Sequence, residues 1–132
     1  MEIKVGDTVL AHYNSGTYIG VMEEDRRNFL LVQVLAVKVH PQQGDLHNLG
    51  QVEGVAFHER KALAYRERMN VQKRKVEPYD GDVPDYIESL KNAVNDLKAT
   101  LSSEDTLYNQ KAMEKLVGLE KHFYNKLEGY ES

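Results

Sequence analysis

The stretch 28–39, NFLLVQVLAVKV, decides how this chain folds. As a strand it carries Leu30, Val32, Val34 and Ala36 on one face and Phe29, Leu31, Leu35, Val37 and Val39 on the other. A strand that is apolar on both faces has to be covered twice. The rest of a curled sheet supplies one cover, and the only candidates for the other are helices at the C-terminal end.

Upstream of it, Val5 to Tyr13 (VGDTVLAHY) alternates apolar and polar residues at period two and reads as a strand, with Gly6 and Asp7 bending its start. Asn14, Ser15 and Gly16 have the chemistry of a tight reversal. Thr17 to Met22 (TYIGVM) is a second strand whose Gly20 predicts a bulge or sharp bend, and Glu23 to Arg27 is a charged turn. Downstream, His40, Pro41 and Gly44 end the long strand and open a polar excursion to Gly54. Asp45 is placed in it to accept backbone amides and hold its shape. Val55, Ala56 and Phe57 read as a return strand. His58 to Met69 (HERKALAYRERM) fits a helix through Ala62, Tyr65 and Met69 or a strand through Leu63 and Tyr65; the strand, followed by a turn, is preferred. Short strands with glycine bends predict a small, strongly bent barrel of the SH3-like kind.

The second half changes period. Pro84 suits the first turn of a helix, and Tyr86 or Ile87, Leu90, Val94, Leu97 and Leu101 then share one face. Ser102 and Ser103 interrupt, Glu104 and Asp105 favour the positive end of a new helix, and its stripe runs through Tyr108, Ala112, Leu116, Leu119, Phe123 and Leu127 to a stop at Gly129. The expected fold class is therefore α+β with a mainly β first half. Residues 1–79 form an SH3-like barrel with a long polar loop at 40–54, and residues 80–132 a C-terminal helical hairpin packed on it.

Composition narrows the chemistry. The 132 residues are 41% hydrophobic and 29% charged, ordinary values for a chain that folds. There is no cysteine, which excludes disulfides, thiolate metal sites, a cysteine nucleophile and a thioether-linked lipid. Met1 to Leu10 alternates charged and apolar residues, so neither a secretion signal nor direct membrane insertion is expected and the cytoplasm is the expected compartment. His40, Asp45, His47 and His58 are candidates for a metal site, since imidazoles and a carboxylate suit zinc, but their spacing matches no local ligand pattern. The bland alternative is that they hold the loop by hydrogen bonds. Asp80, Asp82 and Asp85 lack the central glycine and distal glutamate of a calcium loop and read as linker and helix cap. Phosphate-binding glycine loops and G-x-S-x-G turns are missing, and Glu23, Glu24 and Asp25 sit adjacent in a turn that points them apart. No catalytic residue and no cofactor is assigned, and an enzyme is not expected.

The net charge of −4 is unevenly spread, about −3 over residues 1–57, +4 over 58–79 and −5 over 80–132. Arg60, Lys61, Arg66, Arg68, Lys73, Arg74 and Lys75 make a basic band with Tyr65 and Tyr79 nearby. The band fits a nucleic-acid-binding module, against which the overall acidity counts, a phosphate or acidic-partner site, or, most plainly, a solvated strand face that attracts the chain's own acidic helices. On the acidic-partner view Arg60, Lys61, Arg66, Arg68 and Arg74, with the polar loop 40–47, are the expected partner-binding residues.

The runs HPQQGDLH at 40–47, VAFHERKALAYRERMNV at 55–71 and VEPYDGDVPDYIESL at 76–90, with VGDTVLAHY and SGTYIG before them, resemble the kinase-associated protein B (KapB) family of endospore-forming bacteria. The likeness spans nearly the whole chain. It implies an SH3-like barrel with appended helices, and an accessory protein that binds a membrane sensor histidine kinase feeding the sporulation phosphorelay. On that view the chain is held at the inner face of the membrane, if at all, through its kinase partner. Some family members are described as lipoproteins, from which this cysteine-free sequence departs. The resemblance carries no catalytic residue onto these positions and leaves the oligomeric state open.

Overall fold

The computed structural model describes residues 2–45, 47–48 and 50–131, so Leu46 and Leu49 of the polar loop lie outside the described residues. β1 (Thr8–Tyr13) and β2 (Gly16–Arg26) meet through Asn14 and Ser15, both left-handed at φ 47° and 67°. That pair of positive φ values matches the twist of the flanking strands, and small polar residues bear it cheaply. β3 (Phe29–Val39) returns along β2, β4 (Arg68–Gln72) pairs with the far side of β3, and a 3-10 turn at Lys73–Lys75 leads into β5 (Val76–Pro78), which pairs with β1. The antiparallel order is β4-β3-β2-β1-β5.

The small, strongly bent barrel that the sequence predicts takes the form of a bent five-stranded antiparallel sheet that does not close. β4 and β5 stay its two edges, because they are only five and three residues long and the 3-10 turn carries the chain straight from one edge to the other. The bend comes from register shifts between β2 and β3 that leave Leu35 and Lys38 of β3 and Glu23 of β2 without a partner opposite. Gly20 sits at one of them, as its position in the strand predicts. A Cβ there would lie 2.5 Å from the Gln33 carbonyl oxygen and 2.5 Å from Val32 Cγ1, so only glycine lets the two strands approach this closely.

The inner face of β3 is as expected: Leu30, Val32, Val34 and Ala36 are all buried, with Leu30 opposite Val71 and Val32 opposite Met69 of β4. The outer face follows expectation only in part: Leu31 and Leu35 are half-buried, and Phe29 and Val39 at its two ends are exposed. Val37 is buried, its amide donating to the Ser89 hydroxyl of α1 (Tyr86–Ser102) at 2.9 Å. Toward Phe29, which stays exposed, the cross-strand neighbours are the polar and charged Arg26, Gln72, Glu24 and Asn70. Arg68 meets Glu23 at 2.7 Å, and Arg26 lies between Glu24 and Asn70. Helices anchored to the Leu35 end do not extend over the other.

α1 begins at Tyr86, so Pro84 precedes the cap and does not lie in the first turn as expected; the Asp85 carboxylate caps the helix by accepting the Glu88 amide, and Tyr86, Leu90, Val94 and Leu101 are buried. α2 (Leu107–His122) is capped by the Thr106 hydroxyl and buries Ala112, Leu116 and Leu119. Its stripe does not continue to Gly129. The helix ends at His122, a 3-10 turn follows at Tyr124–Lys126, and Phe123 and Leu127 are left exposed while Tyr124 and Tyr130 turn inward. Tyr130 donates to one oxygen of Glu120 at 2.6 Å, and Lys98 of α1 pairs with the other.

The return strand at Val55–Phe57 and the strand beginning at His58 are also corrected, since ladder structure resumes only at Arg68. The backbone between them is bonded by side chains rather than by a neighbouring strand. Gln43 receives the Arg60 amide at 2.8 Å and donates to the Arg60 carbonyl at 2.9 Å. Tyr124 accepts the Ala62 amide, Tyr18 accepts that of Leu63, and Tyr86 donates to the Leu63 carbonyl. Buried backbone groups need partners, and phenols meet that need here as well as a sheet would. The segment rejoins β3 at Arg66 and Glu67, through bonds of 2.8 and 2.9 Å with Val34.

Candidate functional site

Held off the sheet by these tyrosines, residues 61–65 become one wall of a groove of about 940 Å³. The opposite wall is Val83 with the first turn of α1, and the end of α2 with its 3-10 turn closes one side. Leu35, the partnerless bulge residue of β3, lies in the lining with Tyr86 and Tyr124. The volume is at the upper end of the roughly 300–1,000 Å³ of pockets that hold a ligand. Tyr65, Val83, Phe123 and Leu127 stand around it between 39 and 50% exposed, an apolar cluster left uncovered among the described residues.

The rim is cationic. Lys61 Nζ lies 4.5 Å above the Phe123 ring, and the Arg66 guanidinium lies 5.3 Å from the Tyr65 ring centre. Lys126 and His122 complete the edge. Among the described residues, Lys61, Arg66 and Lys126 form no ion pair. Asp85 also lines the groove, its carboxylate accepting the Glu88 amide, and Glu67, next to Arg66, accepts the Ala64 amide at 2.9 Å.

Beneath the groove lies a buried polar chain. His40 Nδ1 is 2.9 Å from the Pro41 carbonyl, which can only accept, so Nδ1 carries the proton. Nε2 is then the acceptor, and the Tyr124 hydroxyl donates to it at 2.7 Å while accepting the Ala62 amide at 2.9 Å. Burial pulls the His40 pKa down to about 4, and burial pushes the Tyr124 hydroxyl well above its ordinary value. The imidazole is therefore neutral near pH 7 and acts as a bracket.

The four metal candidates are not gathered into a ligand set. His40 is spent on Pro41 and Tyr124, and Asp45 accepts the His47 amide at 2.9 Å and the Asn48 side chain at 3.2 Å, bonds that hold its carboxyl below the usual range. Among the described residues, no three His, Asp or Glu side chains are grouped to hold a metal ion. Asp45 thus organises the loop as its position predicts.

The basic band divides. Lys61 lines the groove, and Arg66 lies outside the lining, against the Tyr65 ring. Arg60 is half-buried, giving a guanidinium proton to the Gly44 carbonyl at 3.2 Å, and Arg68 is paired with Glu23. Arg74 lies at another hollow, with Arg27, Phe29 and Lys73, where Lys73 is paired with Asp25. Reading the sequence alone misses the groove because its lining comes from separated stretches. The available signal is that Phe123 and Leu127 extend the apolar stripe of α2 beyond the last buried helical position.

The model of the family described as "Kinase associated protein B" matches residues 13–124. The chain belongs to the kinase-associated protein B family. Kinase-associated lipoprotein B of Bacillus subtilis (strain 168) is 42% identical over 123 residues, covering 93% of this chain and 96% of that protein. The crystal structure of kinase-associated protein B from Bacillus cereus is 33% identical and superposes with a TM-score of 0.77 over 91% of this chain and 96% of that one. The KapB resemblance read from the sequence is thereby confirmed. The Bacillus subtilis relative is called a lipoprotein, whereas the present residues offer no thiol to acylate. Among the described residues no helix of this KapB chain is long and apolar enough to cross a membrane.

Proposed function

We propose that this KapB-family chain is a non-catalytic accessory protein that binds a sensor histidine kinase of the sporulation phosphorelay and supports its activity. The observation that carries the reading is the kinase-associated family itself, matched over residues 13–124 and by a relative at 42% identity. The exposed apolar groove, whose cations form no ion pair among the described residues, suits a protein contact, because apolar burial supplies affinity and charge steers encounter. Of the five cations expected at the contact, Lys61 and Arg66 are the two with side chains open to a partner on that face. Arg60, Arg68 and Arg74 take part less directly, through the loop and the sheet end that they brace.

The same reading keeps residues 1–79 as the SH3-like part and 80–132 as a hairpin that braces it. Strand order β4-β3-β2-β1-β5, with a 3-10 turn before the last strand, supports the assignment. It puts the chain in the cytoplasm, at the inner face of the membrane when a kinase holds it there. The test is co-purification with the cytoplasmic parts of sensor histidine kinases from the same cell. Retention of one kinase and a changed rate of its autophosphorylation are expected, and retention of none overturns the proposal.

A further inference from the structure

Four features of the groove bear on what occupies it. It is apolar and open, with Phe123, Leu127, Tyr65 and Val83 at its edge. Its rim cations are unpaired among the described residues, while the adjacent carboxylates of Asp85 and Glu67 are turned onto backbone amides. This edge is positive on a chain whose net charge is −4, so a second copy, itself acidic, is a poor electrostatic match. Finally, Arg66 holds a left-handed backbone at φ 69°, a conformation that glycine takes more cheaply, and it places a guanidinium beside Tyr65 at the mouth.

From these we infer that the groove receives an acidic amphipathic segment of a protein partner, whose bulky apolar side chains enter between Phe123, Leu127 and Tyr65 while its carboxylates meet Lys61, Arg66 and Lys126. Apolar contacts in the middle of such an interface supply most of the affinity, and the cationic edge discriminates against basic or neutral segments. The inference deepens the kinase reading, on which it rests only in taking the partner to be a protein.

A library of displayed 16-residue peptides, panned on the intact protein, tests it. Enriched peptides should combine Leu, Ile or Phe with Asp or Glu. A synthesised winner should bind at least ten-fold more weakly to Lys61→Glu and to Phe123→Ser, and more weakly in high salt. Arg66→Gly relaxes the backbone, so a loss of binding in that variant at unchanged or higher melting temperature cannot come from misfolding. Enrichment of nothing, enrichment of basic peptides, or equal binding by the groove variants overturns the inference. So does saturable binding of phosphatidylglycerol vesicles in place of peptides, or dimerisation that masks Phe123. The kinase pull-down is run in parallel with the same variants. A kinase retained equally by wild type and Phe123→Ser leaves the kinase reading standing and removes the groove; acidic peptides selected with no kinase retained does the reverse.

Discussion

Across 84 residues of sequence, the Tyr124 hydroxyl lies 2.7 Å from His40 Nε2, and the same oxygen receives the Ala62 amide. One phenol from the tail thus ties the end of the long strand to the segment that walls the groove. Tyr124→Phe keeps the ring and deletes both bonds, leaving a buried amide and a buried imidazole nitrogen without partners. The expected loss is about 1–3 kcal/mol of unfolding free energy, together with faster hydrogen exchange at Ala62. Urea titration and exchange of that amide check it; an unchanged midpoint would show that the hydroxyl bonds carry no net stability.

His40 sets a pH dependence whose sign follows from its burial. The folded chain keeps the imidazole neutral down to about pH 4, whereas the unfolded chain takes a proton near the ordinary value of 6.5. Unfolding therefore binds a proton between these values, so stability is complete above about 6.5, declines as the pH falls towards 4, and loses no more on this account below that. The contribution is at most roughly 3 kcal/mol. In His40→Gln the difference in unfolding free energy between pH 7 and pH 4.5 should shrink by a sizeable part of that amount. Parallel curves for the two proteins would assign the acid sensitivity to the carboxylates alone.

Gly20 gives a purely steric prediction. Because a methyl group there meets the Gln33 carbonyl and Val32 at 2.5 Å, and the obstructing atoms include backbone, Gly20→Ala should cost several kcal/mol, more than the ~1–3 kcal/mol of ordinary overpacking. Gly50, with nothing within 4 Å of its would-be Cβ but φ +90°, is the control: alanine there meets only backbone strain, of order 1 kcal/mol. Thermal melts of the two variants that coincide would contradict the close approach of β2 and β3.

Much of this fold is legible in the sequence because its strands and helices follow their own periods. Asn14 and Ser15 announce the first hairpin, Gly20 the bend, Pro84 and Asp85 the start of α1, and Leu30 to Ala36 the inner face of the sheet. What could not be read is bonding that jumps between distant residues. Nothing near Ala62 or Leu63 reveals that their backbone partners are Tyr18, Tyr86 and Tyr124, so a stretch with strand-like alternation turns out to be none. The groove was hidden for the same reason. Its walls exist because that stretch stands apart from the sheet, and α2 ends at His122, just before the turn that brings Tyr124 to His40 and Ala62.

The order of the three phenols along the chain has a temporal consequence. Synthesis delivers Tyr18 and Tyr86, which hold Leu63, before Tyr124, which holds Ala62, so the wall at 61–65 is fastened in two stages. Phe123 and Leu127 arrive with the second stage, so a chain cut after Leu119 would carry a nearly finished sheet and a half-fastened wall with one side of the cleft missing.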